Sequence, residues 1–315
     1  MSKQPIILVN KHGRPSTRGV YKAIGGETKL LVKSSRFDGY VERYKGTKTK
    51  VRGLAEPDCK NSIVIRWGSK APIQTDEHSI VYNKIEATEK SNNKPLCRKI
   101  LQDAGIAVPK TYFPDSNFDG AVFPLVSRRT HHGRGLGVEM AQNVNDVHRL
   151  ARQGFTYFSE VYPKQRELRA HCFFNKILAV MEKPRPSDPT KLMWNRFGND
   201  RPFTVLDRSE WPMEACLLAL KGVHHIGLDF GACDLLLDAG PGYPNAVICE
   251  INTAPTINSS PYVHERYVEA FKWLFASDKR RPKWDYTKFK KVESLGLKRF
   301  QTAEDFDIPA EFQMK

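Results

Sequence analysis

The residues best placed to do chemistry lie in CEINTAPTINSS, 249–260. An apolar run, Ala246-Val247-Ile248, leads into Glu250 and Asn252, and Pro255 closes the segment. Strand side chains alternate, so an acid and an amide two residues apart share a face. Upstream, ACDLLLD (232–238) offers a second acid, Asp234. The intervening AGPGYPN (239–245) has loop composition and is too long for a two-residue turn. If Asp238 opposes Ala246, antiparallel pairing sets Asp234 directly across from Glu250, and a two-residue slip keeps both on one face. Directly opposed Cβ atoms are ~5 Å apart, and two ionised carboxylates ~4 Å apart repel by roughly 4 kcal/mol at an effective dielectric of about 20. A cation between them removes that repulsion. Carboxylate and amide oxygens suit Mg²⁺, with Mn²⁺ as the substitute ion, completed by phosphate oxygens and water. The competing reading makes Asp234 a solvated residue on an open sheet face and Asn252 a turn former.

A second group of residues suits phosphate. THHGRGLGV (130–138) carries Gly133, Gly135 and Gly137 with Arg134 between them. Backbone N–H groups of such a turn cradle phosphate oxygens when a cation stands by. Arg128 and Arg129 lie just upstream, and Arg169, two residues after Glu167, adds a cation on a neighbouring strand. A GxGxG alone is weak, because most such loops are only turns. His131 and His132 in the same loop read more simply as exposed loop histidines.

Elements must bring these parts together. PIILV (5–9) and SIVIR (62–66) read as short buried strands within a small α/β lobe spanning 1–88. In KPLCRKILQDAGIAVPKTYF (94–113), Leu96, Ile100 and Leu101 have helical spacing, Gly105 stops the helix and Pro109 opens an extended segment. AVFPLVSR (121–128) reads as a strand, and NVNDVHRLARQG as a polar helix. Three strand-like runs follow, FTYFSEVY, ELRAHCFF and ILAVMEK, the last two joined as a hairpin at Asn175-Lys176. SEWPMEACLLALKGV reads as a helix with Ser209 as its cap. The two acid-bearing strands come next, then an amphipathic helix around 262–276. The expected units are 1–88, 89–156, 157–276 and a mixed-charge appendage, 277–315.

Composition narrows the class. The chain has 315 residues, 40% apolar and 10% aromatic, which fits a globular protein. No apolar run approaches the ~20 residues needed to span a bilayer, and no signal-peptide pattern is present. The six cysteines form no CxxC pair and read as reduced core thiols. A cytoplasmic protein is the expectation. Net charge is +15, and residues 1–88 hold 17 Lys/Arg against 8 Asp/Glu. That surface favours a polyanionic partner, although the aromatic–basic interleaving of nucleic-acid motifs is missing.

Taken in order, four blocks resemble the ATP-grasp superfamily: PLVSRRTHHGRGLGV (124–138), YFSEVYPKQRELR (157–169), GLDFGACDLLL (227–237) and ICEINTAPT (248–256). The resemblance covers roughly 90–275 and is nearest in style to carboxylate–amine ligases such as the ribosomal-protein glutamate ligase. It implies an N-terminal α/β lobe followed by two α+β subdomains clasping ATP. It further implies that Asp234, Glu250 and Asn252 ligate Mg²⁺, and that the backbone of Glu160, Val161 and Tyr162 reads adenine. Glu167 would bond the ribose, and Arg169 would face the phosphates. Lys183 would lie near the γ-phosphate or the substrate carboxylate. Asn195 and Arg196, in WNRFG, would contact metal-bound phosphate and substrate. The family strand ends in lysine where PLVSR ends in Arg128, which keeps the charge but is bulkier and differently hydrated.

The implied reaction joins a carboxylate (of an amino acid, peptide or protein) to an amine through an acyl phosphate, releasing ADP. No GxSxG or cysteine–histidine nucleophile pattern competes with it. A different class, a non-ligase ATP-binding module that uses its basic surface on nucleic acid or an acidic protein, is the alternative.

Overall fold

The structure, a computed structural model, describes residues 3–9, 14–34, 39–53, 56–130, 137–184, 203–242, 244–257 and 260–276. Its first sheet has six strands: β1 (Gln4–Val9), β2 (Lys29–Lys33), β3 (Gly39–Tyr44), β4 (Thr47–Arg52), β5 (Ser62–Trp67) and β6 (Ile80–Tyr82), in the order β4-β3-β2-β1-β5-β6. The two expected strands, β1 and β5, lie side by side in its interior. β1 pairs in parallel with both β2 and β5, and β5 is buried at every position, as a strand covered on both faces must be. Helix α1 (Arg14–Ile24) covers one face through Val20. The stretch between these two strands in the chain, expected to be helix-compatible and basic, also holds β2, β3 and β4. Their charged residues hide the alternation from a hydropathy reading.

Helix α2 (Ile85–Asn92) leads into α3 (Lys94–Asp103). The side chain of Asn93 accepts from Leu96 N, capping α3, and Pro95 occupies its first turn, where no N–H is required. Gly105 stops the helix with φ 67°. The buried stripe is Cys97, Arg98 and Leu101, whereas Leu96, part of the expected apolar spacing, is 41% exposed.

A second sheet, antiparallel, contains β7 (Thr111–Tyr112), β8 (Leu125–Arg128), β9 (Val138–Ala141) and β10 (Tyr157–Glu160) in the order β7-β10-β8-β9. Helix α4 (Val144–Arg152) packs on one face, with Val147 and Leu150 against Leu125 and Phe158. FTYFSEVY therefore pairs with AVFPLVSR, in a different sheet from the hairpin that follows it.

The third sheet holds β11 (Arg166–Phe173), β12 (Lys176–Glu182), β13 (Thr204–Val205), β14 (Phe230–Leu237) and β15 (Ala246–Asn252), ordered β13-β12-β11-β14-β15. Helix α5 (Met213–Ile226) covers the face formed by Leu168, Ala170, Cys233, Leu235, Ile248 and Ile251. Ser209 does not cap α5. It lies in a separate 3-10 turn capped by Asp207, and α5 begins only after Pro212. Helix α6 (Pro261–Ala276) and the other end of this sheet share one core with the first sheet, in which Trp67, Phe230, Tyr267 and Phe271 meet edge to face or tilted. All six cysteines are free, and five are buried. Burial pushes the Cys97 and Cys216 thiols up to about 12, so they are core packing. No helix among the described residues is long and apolar enough to cross a membrane.

Candidate functional site

The acid-bearing strands pair almost as their spacing demands. Leu237, not Asp238, opposes Ala246, so the turn register is one residue off the expectation. A bulge between Asp234 and Leu235, with Cys249 as the extra residue of β15, restores Asp234 to Glu250. The bulge has a second consequence. Ile248 and Glu250 would share a face in a regular strand; the extra residue leaves Ile248 and Ile251 under α5 and turns Glu250 and Asn252 to the opposite side.

That side carries a row in register across the sheet. Met181, Arg169, Asp234 and Glu250 stand opposite one another in turn on β12, β11, β14 and β15. Arg169 donates twice to Asp234, Nε to Oδ1 at 2.7 Å and Nη2 to Oδ2 at 2.9 Å. Asp234 is only 5% exposed. Burial by itself would lower the Arg169 pKa; the Asp234 carboxylate outweighs it and raises it. Asn252 Nδ2 donates to Asp234 Oδ2 at 3.3 Å, which leaves its Oδ1 as a donor for a cation. Lys94, at the start of α3, donates to Glu250 Oε2 at 2.9 Å. The cation that the opposed carboxylates require is thus supplied here by Arg169 and Lys94.

The next row on the same face is Lys183 and Glu167. Lys183 Nζ lies 3.2 Å from Glu167 Oε2, and Lys164 Nζ bonds the same oxygen from the other side. Burial would raise the Glu167 pKa, but the two ammonium groups bring it down to about 2. Arg169 also lies over the ring of Phe203, 4.8 Å from its centroid.

The second sheet faces this row through Arg128. Its Nη1 donates to Cys249 Sγ at 4.0 Å, beside Glu250. Arg98 on α3 bonds Cys249 O from the helix side. A small cleft between them is lined by Lys94, Arg98, Tyr157, Cys249 and Glu250. Arg98 Nη1 and Arg128 Nε are buried donors with no acceptor among the described residues.

Other expected residues sit elsewhere. Arg129 follows Arg128 in the chain and so takes the other face, with its guanidinium 4.9 Å from the Phe155 ring. The Glu160 carboxylate accepts from Tyr112 Oη at 2.9 Å and Val122 N at 3.2 Å, within its own sheet. Its N–H donates to Lys110 O, and Tyr162 O accepts from Lys164 N, which leaves Val161 as the central residue of that connection. The Tyr162 hydroxyl donates to Pro244 O at 2.5 Å. Gly133, Arg134, Gly135, Asn195 and Arg196 lie outside the described residues.

Three cations escaped the sequence reading: Lys94, Arg98 and Lys164. Lys164 could have been found, being three residues before Glu167. Nothing local to Lys94 or Arg98 points to Glu250, because the pairing spans more than 150 residues. Four cations (Lys94, Lys164, Arg169 and Lys183) pair with three carboxylates (Glu167, Asp234 and Glu250), and Arg98 and Arg128 join them at Cys249, next to Glu250. An excess of cations over carboxylates favours an anion, and carboxylate and amide oxygens suit a hard cation.

No family model and no curated protein matches the sequence. Solved structures do match its fold. The ATP-grasp ligase PsnB, in complex with minimal precursor, Mg and ADP, is similar at a TM-score of 0.58 and 13% identity, over 87% of this chain and 98% of that one. A RimK domain ATP-grasp protein from Sphaerobacter thermophilus DSM 20745 is similar at 0.57 and 11%, over 86% and 98%. D-alanine–D-alanine ligase from Bacillus anthracis is similar at 0.52 and 12%, over 87% and 95%. Identities this low speak to architecture alone, and with the four blocks in order on the second and third sheets, the chain has the ATP-grasp fold.

Proposed function

We propose that the protein is an ATP- and Mg²⁺-dependent ligase that joins a carboxylate to an amine and releases ADP and phosphate. The observation that carries this is the row Arg169–Asp234–Glu250, with Asn252 beside it, facing Arg128 from the second sheet. PsnB, a ligase of the same fold, was solved with Mg, ADP and a precursor, and a peptide or protein substrate is the class this reading favours.

The donor set fits the metal: two carboxylates and an amide on one face, with their present partners being exchangeable side-chain cations. Bound there, Mg²⁺ would neutralise polyphosphate charge. The chain's residues do the rest. Arg128 and Lys94 hold phosphate oxygens, and the Glu160–Val161–Tyr162 connection offers backbone to adenine. Glu167, kept ionised by two lysines, accepts from the ribose. Arg169 and Lys183 hold the substrate carboxylate against the terminal phosphate and stabilise the charge spread over the transferring group. A carboxylate is a poor electrophile. Phosphorylation makes it an acyl phosphate, which the amine then attacks with loss of phosphate.

The test is ADP release across amino acids, acidic peptides and protein substrates, with mass spectrometry of products. Asp234→Asn and Glu250→Gln are expected to lower turnover at least ~100-fold while leaving the circular dichroism spectrum unchanged. Release of AMP and pyrophosphate would falsify the acyl-phosphate route. A second reading, an ATP-binding module without turnover, is favoured by one observation: both carboxylates already hold cations of the chain itself. Nucleotide binding with no substrate-dependent ADP across the whole screen would establish it.

A further inference from the structure

The first sheet carries another charged surface, apart from the carboxylate row. β4 reads TKTKVR, and alternation sends its threonines to one face and Lys48, Lys50 and Arg52 to the other. The register fixes which face this is. Lys48 stands opposite Arg43 and Lys50 opposite Val41. Arg43 and Val41 in turn oppose Leu30 and Val32, which belong to the core beneath α1. On that side Arg18 and Lys22 of α1, with Arg43, Lys45 and the turn at Gly46-Thr47, line a cleft of about 340 Å³.

Acids are scarce there. Residues 39–53 hold five Lys/Arg and one acid, Glu42, and Glu42 takes the opposite face beside Lys29. Glu27 is engaged by Lys45 at 2.5 Å. Arg18, Lys22, Arg43, Lys48 and Lys50 make no ion pair with a described residue. Two cations set directly across from each other weaken a hairpin, so Arg43 opposite Lys48 is a cost that an anionic occupant would offset.

β4 is also the edge of its sheet and almost wholly exposed. An edge strand presents a row of unpaired N–H and C=O groups. An extended peptide added to that edge sets alternate side chains about 6.8 Å apart, the same repeat that separates Lys48 from Lys50. Binders of single-stranded nucleic acid interleave aromatic platforms with cations, and the cleft is lined by one aromatic ring, Tyr21.

We propose that this face docks an acidic, extended polypeptide segment, added as a strand on β4 with alternate carboxylates meeting Lys48, Lys50 and the cations of the cleft. The surface lies outside the carboxylate row, so the proposal stands or falls independently of the ligase reading.

The test uses the full chain and a labelled decapeptide of alternating Glu and Val, read by fluorescence anisotropy at low salt. The double variant K48E/K50E is expected to weaken binding at least about tenfold, leaving nucleotide affinity unchanged. Added salt should weaken it as well. Methylation of alternate backbone nitrogens on the edge-facing side should abolish it, because main-chain hydrogen bonds carry strand addition. The proposal is overturned by any of four results: a block peptide with its glutamates at one end binds equally well, the methylated peptide binds as its parent does, oligothymidylate outcompetes the peptide, or charge reversal leaves affinity unchanged. Both substituted positions are exposed, and the methylated-peptide arm needs no variant.

Discussion

At the scale of single residues, the site is a set of charges held in unusual states by their neighbours. Glu167 has its pKa brought down to about 2 by Lys164 and Lys183, against the opposing effect of burial. His171, 3.2 Å from the Tyr267 hydroxyl, is brought down to about 3 by burial and by Arg169. Each folded value lies below the unfolded one, so each contribution is whole above the unfolded pKa and lost as pH falls through the folded pKa. For His171 that window runs from about 6.5 to about 3. For Glu167 it runs from about 4.5 to about 2. The urea midpoint is therefore expected to decline through both windows, and Glu167→Gln should flatten only the lower one. A variant whose acid limb below pH 4.5 matches the parent's would show that Glu167 does not stabilise the fold.

At the scale of elements, two local devices aim the charges. The bulge at Cys249 turns Glu250 away from α5, and the cap of α3 holds Lys94 and Arg98 over β15. Asn93→Ala removes that cap and is expected to cost about 1 kcal/mol. Because α3 carries two of the site's cations, the same variant should also weaken nucleotide binding. Equilibrium unfolding and nucleotide titration of one preparation test both, and a stability loss with unaltered binding would detach the helix from the site. The Gly105 stop was legible in the sequence, since it acts locally; the Asn93 cap and the first-turn Pro95 are equally local but emerged only with the structure. The stripe that α3 buries was not legible, because Arg98 is buried by its bond to Cys249 O, far along the chain.

At the scale of the whole molecule, the first sheet is fastened to the third by Asn83 and Asp229. Asn83 N donates to Asp229 Oδ2 at 2.6 Å and Asn83 Nδ2 to Phe230 O at 2.9 Å, while Asp229 N donates to Asn83 Oδ1 at 2.8 Å. Asn83 is fully buried and has φ 56°, a conformation asparagine tolerates better than most residues. Asn83→Gly keeps the backbone easy and deletes the side-chain bonds, so it isolates their contribution. It should cost about 2–3 kcal/mol, because buried partners are left unsatisfied. A midpoint shift worth less than about 0.5 kcal/mol would mean that the shared aromatic core holds the lobes together unaided.

The sequence by itself determined which of the site's acids, amide and cation share a strand face. The two-residue spacings of Glu167 with Arg169 and of Glu250 with Asn252 are fixed by the period of a strand. It also determined the order of the blocks, and with it the fold. The tertiary structure decided what those faces meet. It placed Lys94, Arg98 and Arg128 beside β15 from other elements, turned Arg129 outward, and corrected a one-residue error of register with a bulge. Alternation is a local property of the backbone, whereas an ion pair across 156 residues depends on packing that no local spacing encodes.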